Sequence, residues 1–197
     1  MYLAFGKRFF DIAVSLTLLV LAAPVLTVVA MAVRWRLGSP VLFRQLRPGL
    51  NERLFRVLKF RTMTDARDTD GRLRPDDQRL TRLGRFLRTW SLDELPQLFN
   101  VLRGDMSLIG PRPLLTRYLP RYTPRQHQRH AVRPGITGLA QIRGRNDLEW
   151  PRRLALDVWY AEHASLTLDL SILWQTVVRV LDRRGVRAGG GGEVSEF

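Results

Sequence analysis

Cysteine is absent from the chain, which excludes disulfides and thiolate metal sites. Histidine is scarce: only three are present, and His127-x-x-His130 with a distant His163 is a poor zinc pattern, so solvated or packed histidines are expected. Neither a G-x-x-x-x-G-K-[ST] loop nor a G-x-G-x-x-G turn occurs, so a nucleotide would bind without a P-loop or a Rossmann turn. Negative charge is short as well. Eighteen Asp and Glu face 32 Lys and Arg, almost all Arg, for a net charge of +14. That imbalance implies an anionic partner: nucleic acid, an anionic membrane face or phosphorylated ligands. With 197 residues, 45% of them hydrophobic, the chain suffices for one core and is short for two full domains.

One long apolar run is present. Ile12 to Val33 carry no charge, enough helix to cross a hydrocarbon core of roughly 30 Å. A cleaved signal peptide is the rival, with Lys7-Arg8 before the run and Ala30-Met31-Ala32 as a cleavage site. The length of the run and the Arg-dense, cysteine-free sequence after it argue against that reading. Pro24 lies near the centre of the run and removes a backbone hydrogen bond, which bends a helix. Lys7 and Arg8 before the run and Arg34 and Arg36 after it put positive charge at both ends. Positive residues stay on the cytoplasmic side, so this symmetry fits a hairpin that enters one leaflet and returns better than a span. A Pro-kinked spanning helix is the competing reading.

Gly38-Ser39-Pro40 closes that segment. Val41 to Phe43 and Leu54 to Phe60 read as short strands, with Pro48, Gly49 and Asn51 as turn residues between them. Lys59 and Arg61 share one face of an extended chain and could hold phosphate oxygens, or form a solvated basic edge that blocks sheet pairing. Thr64 to Arg82 lacks an apolar period and reads as an exposed loop. Arg82, Arg85 and Arg88 recur along one helix face, with Leu83, Phe86, Leu87 and Trp90 on another. Leu114 to Arg133 reads as a basic helical stretch ending in the Arg133-Pro134-Gly135-Ile136-Thr137-Gly138 turn, either a plain turn or a ligand-contacting loop. Asp157, Trp159 and Tyr160 fall on a further helix. Leu166 to Leu181 forms an amphipathic helix suited to the core or to a membrane interface. Segment 187–197, with its four consecutive glycines, reads as a flexible tail.

Chemistry concentrates between Arg85 and Pro113. Asp93 and Glu94 are adjacent carboxylates, and Arg88 and Arg112 bracket them as a phosphate clamp would. Ser91-x-x-Glu94 also makes a capping box, in which Ser91 caps a helix, Glu94 reaches back and Asp93 complements the helix dipole. The two readings are compatible, since backbone N–H groups at a helix start favour both a bound phosphate and an ionised carboxylate.

Taken together, Lys7-Arg8-Phe9-Phe10-Asp11, Lys59-Phe60-Arg61-Thr62-Met63, Ser91 to Gln97, Gly104 to Pro113, Arg133 to Gln141 and Leu156 to Tyr160 resemble the small monotopic phosphoglycosyl transferases, bacterial sugar transferases that start glycan assembly on polyprenyl phosphate. The resemblance implies an α+β, mainly helical monotopic membrane protein. Residues 1–37 would form a re-entrant helix-break-helix, and residues 38–186 a cytoplasmic catalytic unit with a short β-hairpin and amphipathic interfacial helices. It further implies Mg²⁺ as cofactor, a UDP-sugar donor, polyprenyl phosphate as acceptor, contact with membrane lipid and a place on the cytoplasmic face of the bacterial inner membrane, with no nucleic-acid partner. By position, Asp93 looks like the nucleophile and Glu94 like a metal-binding carboxylate. Arg88 and Arg112 look like phosphate ligands, with Lys59, Arg61 and Asp157 in a second tier. The family's helix break is often Ser-Pro, whereas this chain has Ala23-Pro24, so re-entry rests more heavily on Pro24. From a different class, a basic membrane-anchored protein that binds nucleic acid or anionic lipid also fits the charge.

Overall fold

The computed structural model describes residues 2–144 and 148–182; the glycine-rich segment 187–197 lies outside them. After a short π-helical turn at Tyr2–Gly6, helix α1 (Lys7–Leu37) runs for 31 residues with Pro24 inside it. The expected helix-break-helix is therefore one helical element through Pro24. Every fourth residue at its start, Lys7, Asp11, Ser15 and Leu19, is buried, and Val29 and Val33 continue the stripe. Leu16, Leu18, Val20, Leu21, Val25 and Val28 face outward. α1 is thus part of the globular body along one face, and apolar toward its surroundings on the other.

Strands β1 (Leu42–Pro48) and β2 (Leu54–Phe60) form an antiparallel hairpin that pairs Phe43 with Lys59 and Leu46 with Arg56. β1 runs five residues beyond Phe43 because the polar Arg44, Gln45 and Arg47 lie on a hairpin with one open face. Its turn holds Asn51 and Glu52 at positive φ. The outer edge of β2 is covered by a side chain: buried Asn100 accepts from Leu58 N (3.0 Å) and donates to Arg56 O (2.8 Å), as a neighbouring strand would. Asn100 belongs to α4 (Gln97–Arg103), which ends at Gly104 with φ 92°.

The stretch Thr64 to Arg82, expected as an exposed loop, is for most of its length a hydrogen-bonded arm spanning 63–80, and Arg82 already belongs to the next helix. Met63 pairs with Leu80 and Arg67 with Leu73, Arg74 N donates to Ala66 O (3.0 Å), and the arm includes the single turn α2 (Asp76–Arg79). An arm that stands off the core needs main-chain pairing and no apolar period. Helix α3 (Arg82–Thr89) follows, capped by Thr81. It buries Gly84 and Leu87 and leaves Phe86 exposed, so its apolar face is narrower than the spacing predicts. On its inner side the helix lies directly against main chain: a Cβ at Gly84 would lie 1.9 Å from Thr62 O.

The stretch expected as a basic helix is a series of short turns: a 3-10 segment at Thr116–Arg121, α5 (Pro124–His127) and a second 3-10 segment at Gln128–Ala131. Pro120 and Pro124 prevent a longer helix. The Pro-Gly turn after it continues as a strand. β3 (Ser107–Ile109) and β4 (Gly135–Thr137) pair in parallel, with Gly110 N donating to Thr137 O and Gly135 N to Pro111 O. Cβ atoms at Gly135 and Gly138 would lie 2.1 Å from backbone atoms of Gly110. The two glycine-containing motifs therefore exist to lay two main chains together. Helices α6 (Leu139–Arg143), α7 (Trp150–His163) and α8 (Leu166–Asp182) complete the body. The main apolar cluster joins Leu19 of α1, Phe55 and Val57 of β2, Leu98 and Val101 of α4, Ile109 of β3 and Ile172 of α8.

Gly84→Ala should lower stability by about 1–3 kcal/mol, because the new methyl meets main chain that cannot rotate away. The thermal midpoint in detergent measures it, and the exposed Arg85→Ala on the same helix should change little.

Candidate active site

Asp93 and Glu94 lie on a 3-10 turn, Leu92–Glu94, between α3 and α4. The turn starts at Ser91 with φ 55°, a left-handed conformation that costs an L-residue about 1–2 kcal/mol. Ser91 makes no side-chain cap, and Glu94 turns toward cations. The capping box is therefore not formed. Held backbone strain of this kind concentrates where a side chain must be presented in one direction.

Lys59 Nζ donates to Glu94 Oε1 at 2.6 Å. Arg112 Nη2 reaches the same oxygen at 2.7 Å and its Nη1 reaches Oε2 at 3.5 Å. Burial works to raise the Glu94 carboxyl, but Arg112 and Lys59 outweigh it and hold the group well below the usual carboxylate range. Asp93 behaves in the opposite way. It is 7% exposed, and among the described residues it has no hydrogen bond or ion pair. Burial first, and then the neighbouring Glu94 charge, push its carboxyl up, while Lys59, Arg88 and Arg112 pull it back. The site therefore holds one neutralised carboxylate and one uncommitted carboxylate, facing three cations from β2, α3 and the segment after β3.

Each cation has a distinct support. Lys59 is placed by the hairpin register, opposite Phe43. Arg88 Nε donates to Thr62 Oγ1 at 3.1 Å, and Thr81 Oγ1 donates to Thr62 O at 3.2 Å, so α3 and the Lys59–Thr62 segment are tied at two points. Arg112 follows Gly110-Pro111, whose main chain is pinned to β4. Its side chain is 44% exposed, leaving donors open to a ligand. For a divalent cation, Glu94 beside Asp93 is the candidate ligand, since Mg²⁺ takes one or two protein carboxylates and completes its shell with water and phosphate oxygens; both Glu94 oxygens also bond Lys59 or Arg112. Among the described residues no group of three His, Asp or Glu forms a cage.

Two residues from the sequence reading stand apart from this cluster. Arg61 donates to Met63 O, Leu37 O, Ser39 O and the Asp65 carboxylate, so it fastens the end of α1 to β2. Asp157 is buried and paired with buried Arg129, at 2.7 Å from Nη2 and 3.2 Å from Nε. Arg129 Nη2 also donates to Arg112 O at 2.7 Å. Asp157 thus acts through Arg129 on the backbone of Arg112. Sequence spacing had no means of finding Arg129, which sits in a stretch where many arginines look alike. The histidines are structural: His127 bonds Glu52, and His130 is buried, its ring pushed down to about 4 by burial and then by Arg129, so it is neutral at pH 7.

Comparison with known proteins gives concordant results. The profile of the family "Bacterial sugar transferase" matches residues 2–183. The chain is 52% identical over 181 residues to an uncharacterized sugar transferase, EpsL, of Bacillus subtilis (strain 168), covering 92% of this chain and 90% of that one. It is 46% identical to the undecaprenyl-phosphate glucose phosphotransferase of Komagataeibacter xylinus, covering 90% of this chain but 36% of that longer protein. It is 45% identical to the UDP-glucose:undecaprenyl-phosphate glucose-1-phosphate transferase of Caulobacter vibrioides (strain ATCC 19089 / CIP 103742 / CB 15), covering 89% and 69%.

Arg129→Met should destabilise the protein by about 3–5 kcal/mol, because it leaves Asp157 buried without its partner. Burial already raises the Asp157 carboxyl against the pull of Arg129. Without that pull its folded pKa rises further above the unfolded value, so the variant should regain stability as pH falls through that folded pKa. Arg129→Met with Asp157→Leu should recover much of the loss and lose the acid recovery. Thermal midpoints between pH 5 and pH 8 measure both.

Proposed function

The chain belongs to the bacterial sugar transferase family, and we propose that it transfers a sugar-1-phosphate from a UDP-sugar to polyprenyl (undecaprenyl) phosphate, releasing UMP, as the first membrane step of glycan assembly. One observation carries this reading: a buried, uncommitted Asp93 beside a Glu94 that Lys59 and Arg112 neutralise. A carboxylate approaching a diphosphate must overcome like-charge repulsion, and converging cations remove it. The relatives named for undecaprenyl-phosphate sugar transfer support the substrate classes.

The reaction proceeds in two halves. Asp93 attacks the sugar-bearing phosphorus, the phosphoanhydride P–O bond breaks, and UMP departs with the bond's electron pair, leaving an aspartyl phosphosugar. A polyprenyl phosphate oxygen then attacks the same phosphorus and expels the Asp93 carboxylate, forming the diphosphate-linked product. Arg88 and Arg112 hold the phosphate oxygens through forked donors, which a lysine cannot reproduce. Lys59 keeps Glu94 oriented and compensated. Glu94 is the carboxylate that would hold Mg²⁺, which supplies further neutralisation at the diphosphate.

The protein works at the cytoplasmic face of the bacterial inner membrane. At the start of α1, Lys7 pairs with Asp169 of α8 at 2.5 Å, and Arg8 donates to Val101 O and Leu102 O. At its end, Val29 and Val33 pack on Phe60 and Leu87, and Arg61 binds Leu37 O. Both ends of an apolar helix are thus held by one body, which supports keeping both on one side of the membrane, with any re-entry resting on a bend at Pro24 within a single helical element. Exposed Leu166, Leu170, Trp174 and Val177 on α8 supply an interfacial face.

Mixing protein, Mg²⁺ and UDP-sugar without lipid should release UMP up to the enzyme concentration, with the phosphosugar mass on the Asp93 peptide. Asp93→Asn should fold and show neither. UMP release only after lipid is added, with turnover surviving in Asp93→Asn, would replace this scheme by direct transfer. The pH profile supplies a second check. Attack needs ionised Asp93, so its raised pKa should place the acid limb of UMP release above the ordinary aspartate value near 3.9. Glu94→Gln removes a like charge beside it, so the slower variant should show that limb at lower pH. For topology, Phe5→Cys and Ser39→Cys in this cysteine-free chain should both react with a membrane-impermeant thiol reagent from the cytoplasmic side. Labelling from opposite sides would mean that α1 spans.

A further inference from the structure

A groove of about 660 Å³ runs between the last third of α1 and the start of the hairpin, lined by Ala30, Met31, Arg34, Trp35 and Val41. It is shallow and open along its outer side, a trough for a chain laid along the surface rather than an enclosed cavity. Four of the five lining residues are apolar. Met31 and Trp35 are 59% and 84% exposed, far more than folding requires of such side chains. Arg34 is the lone cation of the lining and forms no ion pair among the described residues. Hydrocarbon walls with one free guanidinium suit an amphiphile that has an apolar tail and an anionic head.

The groove also adjoins elements that carry the reaction site. Val41 accepts from Arg61 N at 2.9 Å, which places it beside the strand that carries Lys59. Val41 further belongs to the apolar cluster of Val29, Val33, Phe60 and Leu87, with Leu92 packed against it. Leu87 precedes Arg88 and Leu92 precedes Asp93, so the groove wall and the catalytic turn share one packed unit. The other exposed apolar surfaces differ. The outward face of α1 from Leu16 to Val28 carries no cation, and the Leu166–Val178 face of α8 is a convex helix side, suited to any acyl chain.

Resting on the transferase reading above, we infer that this groove receives the isoprenyl chain of the lipid acceptor, with Arg34 drawing its phosphate toward the site. The polarizable Met31 thioether and the Trp35 ring form contacts well suited to a branched, unsaturated chain. Ligand and enzyme then meet at the level where α1 leaves the membrane.

The test uses the full-length protein in vesicles with undecaprenyl phosphate carrying a chain-borne diazirine. Photolysis should label the peptide spanning Ala30 to Val41, and a tenfold excess of phosphatidylglycerol should not suppress it. Labelling confined to the α8 peptide, or suppressed by phosphatidylglycerol, overturns the assignment, the second result making the groove a general lipid site. Labelling needs no turnover, so a failure of UMP release sinks the transferase reading and leaves this readout intact. Kinetics give a second arm. Ala30→Trp should raise KM for undecaprenyl phosphate about tenfold, the scale of a few displaced methylenes, with donor KM held. Val20→Trp, on the outward face of the same helix, should leave both unchanged. An unchanged acceptor KM in Ala30→Trp, or an equal rise in Val20→Trp, refutes the groove.

Discussion

Two neighbouring carboxylates can be buried together only where positive charge is brought to them, and the architecture follows from that constraint. Asp93 and Glu94 arrive on one strained turn. Lys59 comes from a hairpin strand, Arg88 from a separate helix and Arg112 from a loop after a second small sheet. No two of these cations share an element. Their convergence depends on contacts made elsewhere: Gly84 against Thr62 O, Gly110 against the β4 main chain, and Arg129 on Arg112 O. Each of these sets the position of a charge by fixing a backbone.

The same logic makes the apolar helix part of the fold. A buried polar network joins its first turn to the rest: Tyr160 donates to Asp169 Oδ1 at 2.6 Å, Lys7 pairs with Asp169, and Ser107 Oγ and Leu108 N donate to Asp11 Oδ1. Burying such charges is unfavourable unless they are paired and hydrogen-bonded. Here each one bonds several partners, on α7, α8 and β3. The helix is thereby fixed in direction, so its outward apolar stripe and the groove at its far end keep a defined relation to the Asp93–Glu94 turn.

Much of this was legible in the sequence because it rests on local residue type. The apolar run, the hairpin, the amphipathic last helix and the cluster of Asp93, Glu94, Arg88 and Arg112 all carry signals within a few residues of themselves. The hidden part is long-range. The parallel β3–β4 pair consists of two three-residue strands, too short for alternation, and joins motifs far apart in the chain. Asp157 was noticed, but its action through Arg129 was not, since nothing near either residue marks the other as partner. Arg61 shares a strand face with Lys59 in sequence yet binds the end of α1, because Leu37 O and Ser39 O lie within its reach. The Ser91–Glu94 spacing satisfies a capping box, and the cations outcompete it.

The excess of arginine also acquires a physical meaning. Arg8, Arg61, Arg79, Arg129 and Arg133 each donate to at least one main-chain carbonyl distant in sequence. Arg8 donates to the Val101 and Leu102 carbonyls at the end of α4, and Arg133 takes that of Gly104 just beyond it. In a fold with two small sheets and no disulfides, a guanidinium with several fixed donors can tie two backbone segments at once. A protein that used its positive charge to grip nucleic acid would keep those donors in a solvated stripe. Here a substantial set is directed inward or across the joints of the fold, while others, among them Arg44, Arg56, Arg82 and Arg85, stay exposed. A good part of the chain's positive charge therefore serves the scaffold itself.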